Sequence, residues 1–151
     1  MTSSSTAAQR HHSPLYLYMV RSHTYLRELL AQVIAAMEAN ERTNVDELWT
    51  KLDHGLLTHM EAEERFVLPV FAHVDPSEAR ELLREHGLLR EELLELGIAV
   101  DLHCVRCDRS RDFADILMRH AAREEALLYR WAEQHLQPTL IDKIREHVGS
   151  P

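Results

Sequence analysis

The stretches HMEAEERFVLPVF, residues 59–71, and HAAREEALLY, residues 120–129, both place a histidine four residues before a glutamate. In an α-helix this spacing puts both side chains on one face, about 6 Å apart along the axis. Leu117, just before the second stretch, is followed by His120 and Glu124 in steps of three and four residues. Such steps form the buried stripe of an amphipathic helix. The two stretches therefore predict two helices whose apolar faces each contain an imidazole and a carboxylate.

Residues that start and stop helices divide the rest of the chain. Asp75-Pro76-Ser77-Glu78 is the clearest helix start, with an N-cap, a first-turn proline and an acidic residue. Thr43-Asn44 and Ser110 offer caps for the second and fourth helices, and Pro69 predicts a loosened last turn in the second. We predict helices over about residues 14–40, 44–72, 76–103, 110–135 and 139–147. Short connections favour antiparallel neighbours, so the predicted fold is all-α, an up-down-up-down four-helix bundle with a short C-terminal fifth helix.

Composition excludes several classes of protein. The chain has 17 Lys and Arg against 25 Asp and Glu, and this net charge of −8 argues against nucleic-acid and anionic-membrane partners. No stretch approaches about 18 consecutive apolar residues, so we predict no membrane span. Four glycines and five prolines in 151 residues disfavour turn-rich β-sandwiches and barrels. The Ser/Thr-rich residues 1–13 predict a disordered tail without a signal peptide, before one domain over residues 14–148 of a cytoplasmic protein.

Six polar residues occupy stripe positions where the helical period requires an apolar side chain. A carboxylate in an apolar core costs several kcal/mol unless it is paired or bound to metal. At about 1.5 Å per residue, each helix places one of them at a similar depth, roughly 14–17 Å from one end of the bundle: His23, Glu63, His86 and Glu124. Four imidazoles and two carboxylates at one level predict a dinuclear metal site, and these donors suit iron or manganese better than zinc. The candidate ligands are His23, His59, Glu63, His86, His120 and Glu124.

Alternatives to a metal site stay open for parts of this pattern. The six residues could form a buried His–Glu hydrogen-bonded network without metal, and His103 is more typical of a core or helix-end residue. Glu61 and Glu64 are predicted to face solvent, as most charged runs do. Cys104-Val-Arg-Cys107 is a CxxC at a helix end without a second CxxC, so a redox switch and two incidental cysteines both remain open. The histidines predicted to be solvated are His11, His12, His54, His73, His135 and His147.

Taken together, these motifs resemble the hemerythrin-like, or HHE cation-binding, domains, whose pattern is His…His-x-x-x-Glu…His…His-x-x-x-Glu on four helices. The resemblance covers residues 14–136, and its stretches are VRSHTYLRELL, HMEAEERFVLPVF, LLREHGLLREEL and HAAREEALLY. It implies a di-iron centre in which Glu63 and Glu124 bridge and the four histidines are terminal ligands. Arg90 replaces the fifth histidine of oxygen carriers, and Met60 replaces an extra carboxylate of some iron-sensing relatives. The difference at Arg90 argues against simple reversible oxygen carriage.

The resemblance implies a cytoplasmic non-haem di-iron protein, with manganese or zinc as other possible ions. Such a protein binds or senses O₂, NO, peroxide or iron. Its expected role is oxygen binding or a stress response. One alternative is a di-iron oxidoreductase that consumes peroxide or NO at the same centre. Another is a metal-free helical interaction module, which leaves the six polar stripe residues unexplained. The expected partner is a small diatomic or peroxide ligand, with no nucleic acid and no membrane, and the sequence indicates no particular protein partner.

Overall fold

A computed structural model describes residues 13–149, and every regular element in that range is a helix. The seven helices are α1 (Pro14–Glu38), α2 (Arg42–Phe66), α3 (Leu68–Phe71), α4 (Pro76–Asp101), α5 (Cys107–Ala126), α6 (Leu128–His135) and α7 (Leu140–Val148). The predicted all-α class is confirmed. The predicted disordered tail lies outside the described residues except for Ser13. The Ser13 hydroxyl accepts a hydrogen bond from the Tyr16 amide at 3.2 Å and so caps α1.

The long helices pack on one another in a closed ring. Helix α1 contacts α2 and α5, and α4 contacts the same two helices. The short helix α7 packs on α2 and α1, and α6 packs on α1 and α5. Over residues 13–149, no helix combines the length and the apolar character that crossing a membrane requires. The up-down-up-down order of the bundle stays a prediction, which this ring of contacts favours.

The core consists of two apolar clusters with a layer of buried polar side chains between them. One cluster includes Phe113, and the other includes Leu128. Along α4, Leu82 belongs to the second cluster and Leu89 to the first, and the buried His86 lies between them. The buried polar residues of α1 and α2 likewise lie where the helix passes from one cluster to the other, and the motif histidine and glutamate of α5 follow members of the first cluster, so each long helix contributes polar residues at one level of the fold.

The predicted N-caps agree with the structure in one case and differ from it in two. Asp75 caps α4 as predicted, since its carboxylate accepts a first-turn amide at 2.9 Å. Helix α2 begins one residue before the predicted cap Thr43-Asn44. Helix α5 begins at Cys107, three residues before the predicted cap Ser110. The buried Ser110 hydroxyl donates to the Arg106 carbonyl at 3.4 Å, a bond within the helix, so it does not cap.

Both helices that contain a His-x-x-x-Glu motif are interrupted within one turn of the motif glutamate. Helix α2 gives way at Val67, with φ −110° and ψ −56°, and α5 gives way at Leu127, with φ −116° and ψ −67°. The first break agrees with the loosening predicted from Pro69, which lies in the first turn of α3. No proline or glycine lies near Leu127, so the sequence contains no corresponding signal for the second break.

Each interruption shifts the buried stripe by one residue. Steps of three and four residues continued from Glu63 and Glu124 predict four further stripe residues, which the structure leaves half-buried or exposed: Phe66, Val70, Leu127 and Trp131. The residues that are buried instead are Val67, Leu68, Phe71, Leu128, Tyr129 and Ala132. The prediction for this end of the two helices is therefore wrong, because it assumed an uninterrupted 3.6-residue period.

Candidate metal centre

The structure brings all six candidate ligands together, and each is at most 5% exposed. They form two groups of four, and within each group one candidate ligand atom per residue lies within 4.8 Å of the others. The first group is His23, His59, Glu63 and Glu124, and the second is His86, His120, Glu63 and Glu124. Both glutamates belong to both groups. Two carboxylates that bridge two ions require this sharing.

Four helices direct these side chains to one point. His23 lies on α1, and His59 and Glu63 lie one turn apart on α2, with His59 Nε2 3.3 Å from Glu63 Oε1. The corresponding pair on α5 is closer, with His120 Nε2 2.9 Å from Glu124 Oε1.

Two more imidazoles approach Glu124 from across the bundle. His23 Nε2 lies 3.1 Å from Glu124 Oε2. On α4, His86 Nε2 lies 3.1 Å from Glu124 Oε1.

The outer nitrogen of three imidazoles faces a carboxylate. An acceptor at Nδ1 holds the proton on that nitrogen, fixes the ring, and leaves the Nε2 lone pair free for a metal. These carboxylates are not among the residues that the sequence pattern predicts for the site, although each is adjacent in sequence to a candidate ligand. The pairs are His23 with Glu125 at 2.9 Å, His86 with Glu64 at 2.8 Å and His120 with Glu85 at 2.7 Å.

Glu64 is half-buried, so the prediction that it faces solvent is wrong, whereas Glu61 is exposed as predicted. The two oxygens of Glu64 accept hydrogen bonds from the Arg90 guanidinium at 2.8 and 2.9 Å. Partial burial opposes ionisation, but His86 and Arg90 together lower the pKa of Glu64 to about 2. Arg90 therefore supports His86 through Glu64.

The fourth imidazole has a hydroxyl partner in place of a carboxylate. Ser22 Oγ lies 2.8 Å from His59 Nδ1. Ser22 immediately precedes a candidate ligand on α1, as Glu85 does on α4, and each supports the histidine of the following long helix. In both halves of the centre, the residue before one histidine ligand therefore supports the histidine of the next long helix. The supporting group is neutral beside His59 and charged beside His120.

Tyr129 is a further polar side chain at the centre, and sequence analysis missed it. It is 2% exposed, and its Oη lies 3.0 Å from His23 Nε2 and 3.1 Å from His59 Nε2. The hydroxyl also donates a short hydrogen bond to Glu63. Burial and the nearby carboxylates raise the pKa of Tyr129 well above its usual range. The break at Leu127 turns this residue inward, whereas an uninterrupted helix would place it off the buried stripe.

Among the protein groups alone, the imidazoles and carboxylates pair as opposite charges. Burial opposes charge on all of them, but hydrogen bonds from His120, His23 and His86 hold the pKa of Glu124 well below its usual range. In the same way, against the effect of burial, carboxylates raise the pKa of His23 to about 9 and that of His86 to about 11. Protons and cations therefore compete for the same nitrogen and oxygen atoms.

The unpaired atoms at the centre test whether these residues fit metal ions. Glu63 Oε2, Glu124 Oε2 and His120 Nε2 are buried and make no hydrogen bond of regular geometry within residues 13–149, although each lies within ion-pair distance of another residue of the centre. A buried polar atom without a partner costs about 1–3 kcal/mol. All three are lone-pair donors, and each belongs to a residue of the second group, so one cation there would satisfy them together. The donor set of four nitrogens and two carboxylates suits iron or manganese. The residues at the centre therefore fit a pair of such ions.

A surface cleft reaches one side of the centre. It has a volume of about 600 Å³ and lies between α4 and α5. Its lining includes the apolar Leu88 and Ile116, the charged Glu85 and Arg123, and His120 of the second group. A small molecule in this cleft would approach the second pair of histidines.

The remaining histidines lie away from the centre. His54, His73 and His135 are exposed as predicted, and residues 11–12 lie outside the described part of the chain. His147 is half-buried, with Nε2 3.5 Å from Glu61, so the prediction of a solvated side chain is wrong there. His103 is exposed at φ 52°, just after α4, which is a helix-end position and not a core one. The two cysteines are free, with Cys104 exposed and Cys107 half-buried.

Comparison with protein families gives one match. The model of the hemerythrin HHE cation binding domain matches residues 15–132, which is more than half of the chain and includes all six candidate ligands. Neither the curated proteins nor the solved structures give a match. The matched range includes Tyr129 and ends before α7.

Proposed function

The chain belongs to the hemerythrin HHE cation-binding domain family, and from this premise we propose that it is a non-haem di-iron protein that binds or senses a small ligand such as O₂, NO or peroxide. The observation that supports the proposal most is that Glu63 and Glu124 belong to two groups of ligand atoms at once. In the proposed fold, the four long helices form an up-down-up-down bundle and α7 is the short fifth helix. A cytoplasmic location and the lack of nucleic-acid and membrane partners remain predictions from composition.

In this proposal each half of the centre holds one ion. His23 and His59 would be the terminal ligands of the first ion, and His86 and His120 those of the second. Glu63 and Glu124 would bridge the two. Iron, when bound, supplies open coordination positions and a change of oxidation state for a small ligand. Manganese or zinc would find the same donors.

The surrounding residues have three tasks in this proposal. Glu125, Glu64 and Glu85 accept the Nδ1 protons and so keep each Nε2 directed at the centre. The two apolar clusters exclude water above and below the polar layer. The cleft beside His120 gives a small ligand a path to the second half of the centre.

A second candidate function is an oxidoreductase that consumes peroxide or NO. Two observations favour turnover over storage of oxygen. Arg90 replaces the fifth histidine and pairs with Glu64, so the second half has two terminal nitrogens only. The cleft beside His120 is much larger than a diatomic ligand needs, which also gives a product a way out.

Metal analysis and ligand kinetics together test both candidates. Protein purified without added metal should contain two irons per chain and show the optical spectrum of a ferric di-iron centre. Glu63→Ala should abolish both, and Glu61→Ala, an exposed neighbour on the same helix, should leave both unchanged. An iron content near zero, with no uptake of added ferrous iron, would refute the proposal. Catalytic consumption of peroxide or NO would identify an enzyme, and stoichiometric binding alone would indicate a sensor.

A further inference from the structure

The two helices with a His-x-x-x-Glu motif differ at the position five residues after the motif glutamate. After Glu63 this residue is Leu68, and after Glu124 it is Tyr129. Both are buried just beyond a helix break, at 2% exposure each. Only the tyrosine brings an oxygen to the centre, where it contacts His23 and His59 of the first group. The groups of candidate ligands are therefore unequal once Tyr129 is included.

The distances around the tyrosine oxygen are those between neighbouring ligands of one ion. Donors about 2.1 Å from a metal and at right angles to each other lie about 3.0 Å apart. Tyr129 Oη lies 3.0 Å from His23 Nε2 and 3.1 Å from His59 Nε2. The two imidazole nitrogens are 3.1 Å apart, and His59 Nε2 is 3.3 Å from Glu63 Oε1. The oxygen has the same spacing as the candidate ligand atoms.

Hydrogen bonding alone gives an incomplete account of this placement. The tyrosine has a single proton, and the structure gives that proton to Glu63. Once an ion binds both Nε2 atoms, neither of them has a proton to offer the tyrosine oxygen. Two nitrogen lone pairs and an oxygen lone pair then meet within about 3 Å, an arrangement that a shared cation stabilises.

We propose that Tyr129 is a further ligand of the first ion, through its phenolate oxygen. The inference rests on the proposed function and deepens it. An oxygen–metal bond replaces the O–H bond of the tyrosine, and the proton leaves to solvent by way of the Glu63 carboxylate that accepts it in the structure. The first ion then has five protein ligands and the second has four. An external ligand consequently binds the second ion, beside the cleft at His120.

Ferric iron bound to a tyrosinate absorbs visible light by charge transfer, and this property provides the test. The iron-loaded, air-oxidised protein should show this band, and resonance Raman excitation within it should enhance the ring modes of tyrosine. Tyr129→Phe should lose the band and the ring modes while it retains iron. The matched control is Tyr25→Phe, at an exposed position on α1, which should keep both.

A complementary variant covers the case in which Tyr129→Phe does not fold. The chain has four tyrosines, so replacing Tyr16, Tyr18 and Tyr25 by Phe leaves only Tyr129, and the band should persist. Iron-loaded protein with two irons per chain and no tyrosinate band would overturn this inference and leave the proposed function standing. A band of unchanged intensity in Tyr129→Phe would overturn it too. Wild-type protein that takes up no iron would overturn the proposed function and this ligand with it.

Discussion

Removing the metal should make the stability of the protein fall as the pH rises from about 6.5 to about 9. His23 is the group that determines this window. Although burial disfavours its charge, the carboxylates of Glu124 and Glu125 raise its pKa from 6.5 to about 9. A group whose pKa is higher in the folded state stabilises the fold fully below its unfolded pKa. That contribution disappears as the pH rises through the folded pKa.

The size of the effect follows from the two pKa values. Each pKa unit corresponds to about 1.36 kcal/mol, so a rise from 6.5 to about 9 contributes about 3 kcal/mol. For a domain of this length, 1 kcal/mol changes the melting temperature by roughly 2–4 °C. The contribution of His23 alone should therefore lower the melting temperature by roughly 6–12 °C across the window. His86, with a pKa of about 11, loses its contribution over the same window and on to higher pH, so it should steepen the decline and extend it above pH 9.

Thermal melts of chelated and iron-loaded protein, followed by circular dichroism between pH 6 and 10, measure this effect. In the iron-loaded protein the imidazoles bind metal without a proton, so the decline over the same window should be absent. Glu125→Gln removes one of the two carboxylates beside His23 and should reduce the slope of the chelated protein. A melting temperature of the chelated protein that stays level or rises from pH 6.5 to 9 would show that the charge pairing is misassigned.

Three further predictions concern the metal and its ligands. Glu63→Ala or Glu124→Ala should release both ions, because each carboxylate serves both, whereas His86→Ala should weaken mainly one; elemental analysis that still finds two ions after Glu63→Ala would contradict the bridging role. Glu85→Gln should lower iron affinity by about 10–100-fold in a chelator competition, since it removes the negative charge that faces the Nδ1 proton of a ligand, and an unchanged affinity would exclude that support. The ferrous protein should oxidise in air without a long-lived oxygenated complex, and Arg90→His should slow this oxidation; a stable, reversible oxygen adduct of the wild-type protein would disprove the reasoning.

The positions of the central residues could be predicted because their signal is local. A histidine or glutamate that interrupts an apolar stripe, as His86 does between Leu82 and Leu89, is visible in the sequence without knowledge of the tertiary structure. The equal depth of the polar residues follows from helix lengths and the rise per residue. The all-helical class needed no more than these periods and the caps, of which Asp75 is confirmed.

The parts that were missed depend on contacts between helices. Glu64 and Glu85 belong to runs of charged residues that look solvated, and only packing brings them to His86 and His120. Tyr129 was missed for another reason. No proline or glycine near Leu127 indicates the break in the helix there. The break moves the buried stripe by one residue, and this determines which side chains face inward. Backbone interruptions of this kind follow from tertiary packing, which outweighs local periodicity.

The polar layer between the two apolar clusters has a consequence for the cooperativity of unfolding. Each cluster packs within itself, and the side chains of the metal centre lie at the level between the two clusters. Bound ions would link the four long helices at this level and make both ends of the molecule unfold together. Without ions, the end that includes α7 should open on its own at a lower free-energy cost than the other. Amide hydrogen exchange would then separate into two groups of protons, and metal binding would merge them into one.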